Sequence, residues 1–264
     1  MKKLMIAAAV AAVGLGASAL ESANTVGYET RNLTSNTKVI NGANFVTVGE
    51  NTLSLQDIVM DDSVGDGGAQ IWWWNTSTGK FDDYAYWYTE LYADEEGETT
   101  LGYAGWGDPM YWMPISKTFA LGESFWIQAG VNASYTLSGE VAGSSAAEEY
   151  FGVDINANEK VLMTNPFPTG SFSLQSIKMD SSVGDGGAQI WWWNTTTGKY
   201  DDYAYWYTEL YADEEGETTL GYAGWGDPLY WMPISKTFTT SEGFWVQAGV
   251  NATVEFPNPF YVAP

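Results

Sequence analysis

The chain has 264 residues, 10 Lys and Arg against 33 Asp and Glu, a formal net charge of −23, and neither His nor Cys. Such a charge repels phosphates and excludes nucleic-acid binding. The missing thiols and imidazoles exclude disulfides, lipoprotein acylation, triad or thiol catalysis, and ordinary zinc or copper sites. An aromatic content of 16% excludes a disordered acidic chain, and the length suits two domains with a core each.

In chain order, Lys2 and Lys3 precede an apolar run over residues 4–15 and then Ala17-Ser18-Ala19. A short basic start, an apolar stretch too short to span a bilayer and an A-x-A site predict a cleaved secretory signal over residues 1–19. Its removal leaves eight basic residues against 33 acids, and no membrane span is expected in the mature chain. Export to the periplasm, cell surface or medium of a Gram-negative bacterium is the expected localisation.

Residues 63–119 recur as residues 182–238 with a shift of 119, and only Ser77/Thr196, Phe81/Tyr200 and Met110/Leu229 differ. Loops are copied along with apolar strands. This is an internal duplication. The flanks align more weakly: Ser54-Leu55-Gln56 faces Ser173-Leu174-Gln175, and Val46-Thr47-Val48 faces Asn165-Pro166-Phe167. The expected organisation is a first module over 20–141, a small polar linker over 142–150 and a second module over 151–264.

Each module reads as β, with runs of Val, Ile, Thr and aromatics broken by Gly, Pro, Asn and Asp. One short helical turn is expected after Ser54 and after Ser173. The segment from Gln70 through Tyr92 predicts a hairpin whose turn uses Gly79, repeated at Gly198, in a positive-φ conformation. A second hairpin is expected around Gly97 and Gly216. The strand Ser124–Ala129 places Phe125 and Ile127 on one face and Trp126 and Gln128 on the other. The fold class expected is all-β, as two tandem, homologous, jelly-roll-like β-sandwich modules.

Fourteen Trp fall seven to a module. Trp72 and Trp74 point opposite to Trp73, so both faces of that strand are aromatic. In the next strand Tyr84, Tyr86 and Tyr88 share one face, and Ala85, Trp87 and Leu91 lie on the core side. The copies are Tyr203, Tyr205 and Tyr207, with Trp191 and Trp193 corresponding to Trp72 and Trp74. Packing alone explains many of these rings. A tyrosine ladder with polar tips also suits an exposed contact face, for a protein or matrix partner, for self-association or for stacking against a glycan.

Acids crowd two turns, at Asp94, Glu95, Glu96 and Glu98 and at Asp213, Glu214, Glu215 and Glu217. Carboxylates of this density can serve Ca²⁺, but their spacing matches no calcium loop, and a solvated turn is the preferred reading. Asp61, Asp62 and Asp66, with Asp180 and Asp185 in the copy, belong to a Gly-rich connection. Catalysis is left only to carboxylate pairs of the glycosidase kind, with Glu90 and Glu123 as candidates.

The segment Glu21-Ser22-Ala23-Asn24-Thr25-Val26-Gly27-Tyr28 after the leader, the Asn165-Pro166-Phe167 turn and the closing strand from Gly243 resemble a group of secreted β-sandwich repeat proteins of Verrucomicrobia- and Lentisphaerae-type bacteria. Their strand motif, G-x-F-W-(I or V)-x-A, is approached by Ser124–Ala129 and by residues 243–248, the first with Ser in place of Gly. The resemblance implies secretion and β-sandwich modules, and no activity. The expected function is therefore a non-enzymatic surface interaction protein, with a tandem carbohydrate-binding module as the alternative and a carboxylate glycosidase third.

Overall fold

The computed structural model describes residues 26–75, 77–91, 104–141, 149–168, 170–194, 196–210, 223–239 and 242–261. The described chain is all-β, and its only helical pieces are two short 3-10 turns.

The first half contains β1 (Val26–Leu33), β2 (Val39–Gly42), β3 (Thr52–Ser54), β4 (Ile58–Met60), β5 (Ala69–Asn75), β6 (Lys80–Tyr88), β7 (Gly105–Gly107), β8 (Thr118–Ala120), β9 (Ser124–Ala129) and β10 (Ala133–Glu140). They form three small antiparallel sheets, in the orders β1-β10-β4, β2-β9-β5-β6-β7 and β3-β8. The second half repeats the set as β11 (Tyr150–Ile155), β12 (Lys160–Met163), β13 (Ser171–Ser173), β14 (Lys178–Met179), β15 (Ala188–Asn194), β16 (Lys199–Tyr207), β17 (Gly224–Gly226), β18 (Thr237–Thr239), β19 (Phe244–Ala248) and β20 (Ala252–Pro257). Its sheet orders are the same: β11-β20-β14, β12-β19-β15-β16-β17 and β13-β18.

Period-2 patterning decides what each strand buries. In β5, Ala69, Ile71 and Trp73 point inward, and Gln70, Trp72 and Trp74 point outward. In β6, Ala85 and Trp87 meet the core, followed by Leu91 beyond the strand. In β9, Phe125 and Ile127 share a face as expected and are buried, opposite half-buried Trp126 and Gln128. Each half has its own apolar cluster. Trp106 and Trp225 are wholly buried and donate from Nε1 to the carbonyls of Ile58 and Ile177 at 2.6 and 2.8 Å. An indole buried without such a partner would lose its desolvation cost uncompensated.

The expected turns are present. Gly79 and Gly198 both hold φ of 66° between β5 and β6 and between β15 and β16, where a side chain would be strained. The turns Leu55–Asp57 and Leu174–Ser176 are capped by Ser54 and Ser173. Gln56 explains why Ser-Leu-Gln occurs in both copies outside the near-identical block. Its amide nitrogen donates to the carbonyls of Trp106 and Ile115, and its oxygen accepts from the Trp106 N–H at 3.0 Å. Gln175 makes the same clamp on Trp225 and Ile234.

One alignment is corrected. Asn41 pairs with Phe125, and Met163 pairs with the matching Phe244. Asn165-Pro166-Phe167 therefore corresponds to Ala43-Asn44-Phe45, not to Val46-Thr47-Val48. The first half is longer between β2 and β3 than the second is between β12 and β13, and a sequence gap there is invisible until the strands are paired. Phe45 and Phe167 both enter their cores.

The expected signal over 1–19, most of the linker and the hairpin turns around Gly97 and Gly216 lie outside the described residues. Among the described residues, no helix is long and apolar enough to cross a membrane.

Candidate functional site

Two regions gather the side chains that can meet a ligand: the outer face of each five-stranded sheet and the junction between the halves.

On the outer face, pairing sets Trp72 between Tyr84 and Trp126, and Gln70 between Tyr86 and Gln128. Trp191 stands likewise between Tyr203 and Trp245. The pairing puts Trp72 on the tyrosine face and Trp73 inward against Phe119 at 6.2 Å, while the register shifts at Trp74.

The predicted residues do not share one environment. Tyr84 and Tyr203 are 39% and 40% exposed. Tyr86 and Tyr205 are half-buried, each edge-on to its exposed neighbour at 5.9 and 6.0 Å. Tyr88 and Tyr207 are buried and so are not open contact residues, because Trp112 and Trp231 stack on them at 5.5 and 5.4 Å. Burial raises both of these phenol pKa values.

Trp72 and Trp191 are covered in another way. Lys38 Nζ stands 3.7 Å from the Trp72 ring centre, and Lys160 Nζ stands 4.1 Å from that of Trp191. Each ammonium is attracted by the ring quadrupole, and burial lowers both lysine pKa values. A sugar stacking on either indole would have to displace the ammonium from that ring face.

The sequence reading missed the turn after β7. Asp108 Oδ1 accepts from the N–H groups of Met110 and Tyr111, and the Trp112 N–H reaches the Asp108 carbonyl at 3.0 Å. This holds Trp112 at φ of 57°, with Trp231 at 58° in the copy. A bulky residue in that region is strained by about 1–2 kcal/mol. The turn lays Trp112 on Tyr88 and leaves Met110 and Leu229 more than 70% exposed, with Tyr111 and Tyr230 beside them. Asp-Pro followed by three large apolar residues inside the duplicated block was the available signal.

At the junction, corresponding residues of the two halves meet. Gly42 lies against Thr164, its counterpart by strand register, so closely that a built Cβ would come 1.5 Å from Thr164 Oγ1. The Thr164 N–H donates to the Gly122 carbonyl at 3.0 Å, and Asn44 Nδ2 donates to the Asn165 carbonyl at 3.0 Å. Asn44 also accepts from buried Arg31, which bonds Asn41 and pairs with Glu29 at 2.8 Å. Contacts between like elements of two copies have the form of a two-fold interface inside one chain.

Two clefts flank this contact at matching places. The smaller, of about 440 Å³, is lined by Trp74, Lys117, Glu123, Ser124, Lys160 and Leu162 among others. The larger, of about 1140 Å³, is lined by their counterparts Trp193, Lys236, Glu242, Gly243, Lys38 and Ile40, with further residues. The Lys117–Glu123 and Lys236–Glu242 ion pairs measure 2.8 and 2.5 Å. Trp74 is packed edge-on against Trp245 at 4.9 Å, with Phe81 5.2 Å away. Trp193 has Tyr200 at 5.3 Å and remains 40% exposed.

The carboxylates have structural partners. Asp61 accepts from both the N–H and the hydroxyl of Ser63 and of Ser134, tying the connection after β4 to β10. The Ser63 hydroxyl leads in lowering its pKa to about 2. Asp66 and Asp185 cap Thr89 and Thr208. Glu123 is held by Lys117 and the Ala120 N–H, and Glu90 is exposed. Among the described residues, no three or more carboxylates gather to hold a metal ion. The calcium candidates Asp94, Glu95, Glu96, Glu98, Asp213, Glu214, Glu215 and Glu217 lie outside the described residues.

Comparison with protein families, with curated proteins and with solved structures found no match for this chain.

Proposed function

We propose that the chain is a non-enzymatic exported protein of two homologous β-sandwich modules that binds a protein or matrix partner through its aromatic faces. The observation that carries this reading is the strained turn present in both halves. It sets Met110 and Tyr111, and Leu229 and Tyr230, in water at the end of a ring series continuing through Trp112 and Tyr88 to Tyr84. Backbone strain spent on exposing apolar side chains is unfavourable for folding alone, and it suits a contact surface. Large rings with few rotamers are efficient anchors in such surfaces. The identical sheet orders and separate apolar clusters of the two halves support the modular reading.

Glycan binding on the same faces is the second reading, favoured by the exposed phenol rings of Tyr84 and Tyr203. The lysines over Trp72 and Trp191 weigh against it, since they cover the larger rings. Light scattering over a wide concentration range and retention on polysaccharide-free matrix protein separate the readings. Loss of association or retention on Tyr111→Ser with Tyr230→Ser supports the first. Retention on insoluble polysaccharide alone, removed by Tyr84→Ala with Tyr203→Ala, supports the second. Hydrolysis abolished by Glu90→Gln with Glu209→Gln would overturn both.

A further inference from the structure

The near-identical copies differ where the larger cleft lies. Of the three differences in the 57-residue block, Ser77/Thr196 and Phe81/Tyr200 both fall on its wall. Just beyond the block, Ala120/Thr239 and Ser124/Gly243 fall there too. Within the block, the third difference, Met110/Leu229, lies elsewhere, on the exposed turn.

These changes have a chemical direction. Phe81 to Tyr200 and Ala120 to Thr239 each add a hydroxyl, Thr196 keeps the one Ser77 has, and Ser124 to Gly243 removes one, whose oxygen is buried without a partner beside the smaller cleft. Gly243 has a packing reason of its own, because a built Cβ would come 2.3 Å from Ile40 of the other half. The Tyr200 oxygen is buried just behind the cleft wall without a hydrogen-bond partner, and burial raises its pKa. Leaving it so is unfavourable, and the first half shows that Phe fits the position. The hydroxyl is therefore not explained by folding.

The charges of the cleft balance: Lys38 and Lys236 against Asp202 and Glu242. Lys236 is tied to Glu242, and Asp202 accepts from Asn194 Nδ2 at 3.0 Å. Aromatic walls come from Trp193 and Trp126, one from each half. The volume of about 1140 Å³ lies just above the usual range of small-molecule clefts, about 300–1000 Å³. Flat apolar walls, added hydroxyls and no net charge match a ligand with apolar ring faces, many hydroxyls and no charge.

We infer that the larger cleft between the halves is a binding site for a short neutral oligosaccharide, with Trp193 as the stacking wall and Thr239 and Tyr200 as hydrogen-bonding groups. The smaller cleft, where Trp74 is folded onto Trp245 and the added hydroxyls are missing, does not bind one. This site shares Lys38 and Trp126 with the outer face of the first half but uses none of the exposed tyrosines, so it does not rest on the role proposed for them.

The test is calorimetric titration of the full chain with maltotriose, cellotriose, xylotriose and triacetylchitotriose, each to about 10 mM, which covers the weak affinities usual for such ligands. At least one should bind with a stoichiometry of one. Trp193→Ala should abolish binding, and Tyr200→Phe with Thr239→Ala should weaken it about tenfold. The double variant places first-half residues at both positions, so its fold is expected to be kept, and a melting curve checks this. Trp74→Ala, and Tyr84→Ala with Tyr203→Ala, should leave the affinity unchanged. Absence of binding by all four sugars overturns the inference. So does binding that survives the cleft substitutions or is lost with the outer-face ones.

Discussion

Trp74 and Trp193 occupy the same place in the same sequence, at the end of an Ile-Trp-Trp-Trp-Asn strand before the same glycine turn, yet their surroundings differ. Trp74 is packed against Trp245 of the other half, whereas Trp193 borders an open cleft. Local sequence sets the strand and the face for both, and what covers that face comes from across the junction. There the halves are not equal: Gly42 stands where Thr164 stands in the copy, and Ser124 where Gly243 stands. The clefts beside them differ accordingly, about 440 Å³ next to Trp74 and about 1140 Å³ next to Trp193.

Equivalent core positions should show no such asymmetry. Trp106→Ala and Trp225→Ala should each destabilise the protein by about 3–5 kcal/mol in chemical denaturation, by similar amounts in either half. A difference of more than about 2 kcal/mol would mean the cores are not equivalent. Gly42→Val should cost about 2–3 kcal/mol and separate the halves, read as an increased radius in solution scattering. An unchanged radius with an unchanged melting curve would remove the close Gly42–Thr164 contact.

The central comparison is tested by Trp74→Ala beside Trp193→Ala. Losing a half-buried indole from the junction should cost about 1–3 kcal/mol, and losing the exposed one less than about 1 kcal/mol. Equal costs would break the contrast on which the open cleft depends. Tyr200→Phe without ligand should be neutral or stabilising by up to about 1 kcal/mol, because it deletes an unpartnered buried hydroxyl. Phe81→Tyr should instead destabilise by about 1 kcal/mol, since Phe81 is packed among Trp74, Trp126 and Trp245.

The smallest effect concerns pH. The Asp61 pKa falls from 3.8 to about 2 on folding, so the unfolded state binds the proton more readily. Its contribution is present above about pH 4 and is lost as pH falls from there through about 2. Asp61→Asn should lower the melting temperature at neutral pH, and the gap to the parent should close across that window. A gap independent of pH would assign the role of Asp61 to shape alone. Asp180, whose pKa is also lowered despite opposing desolvation, should behave alike.

Much of the fold was legible in the chain because strand periodicity and turn chemistry are local. The alternation in Ala69–Asn75 and Ser124–Ala129 announced which side chains share a face, and glycines at 79 and 198 announced the turns. The Tyr face was legible for the same reason. That Tyr88 is hidden was not, because Trp112, which covers it, sits on a turn whose positive φ no propensity foretells. The lysines over Trp72 and Trp191 come from neighbouring strand ends, far away in sequence.

By itself the sequence determined the duplication, the all-β strands and which side chains of each strand share a face, since these depend on residue identity and on a period of two. Only the tertiary structure decided the three-residue shift between β2 and β12, the meeting of Gly42 with Thr164, and which of two identical tryptophans faces an open cleft. These depend on distances between segments more than a hundred residues apart. Side chains there are selected by steric fit across space, and no local pattern along the chain encodes that fit.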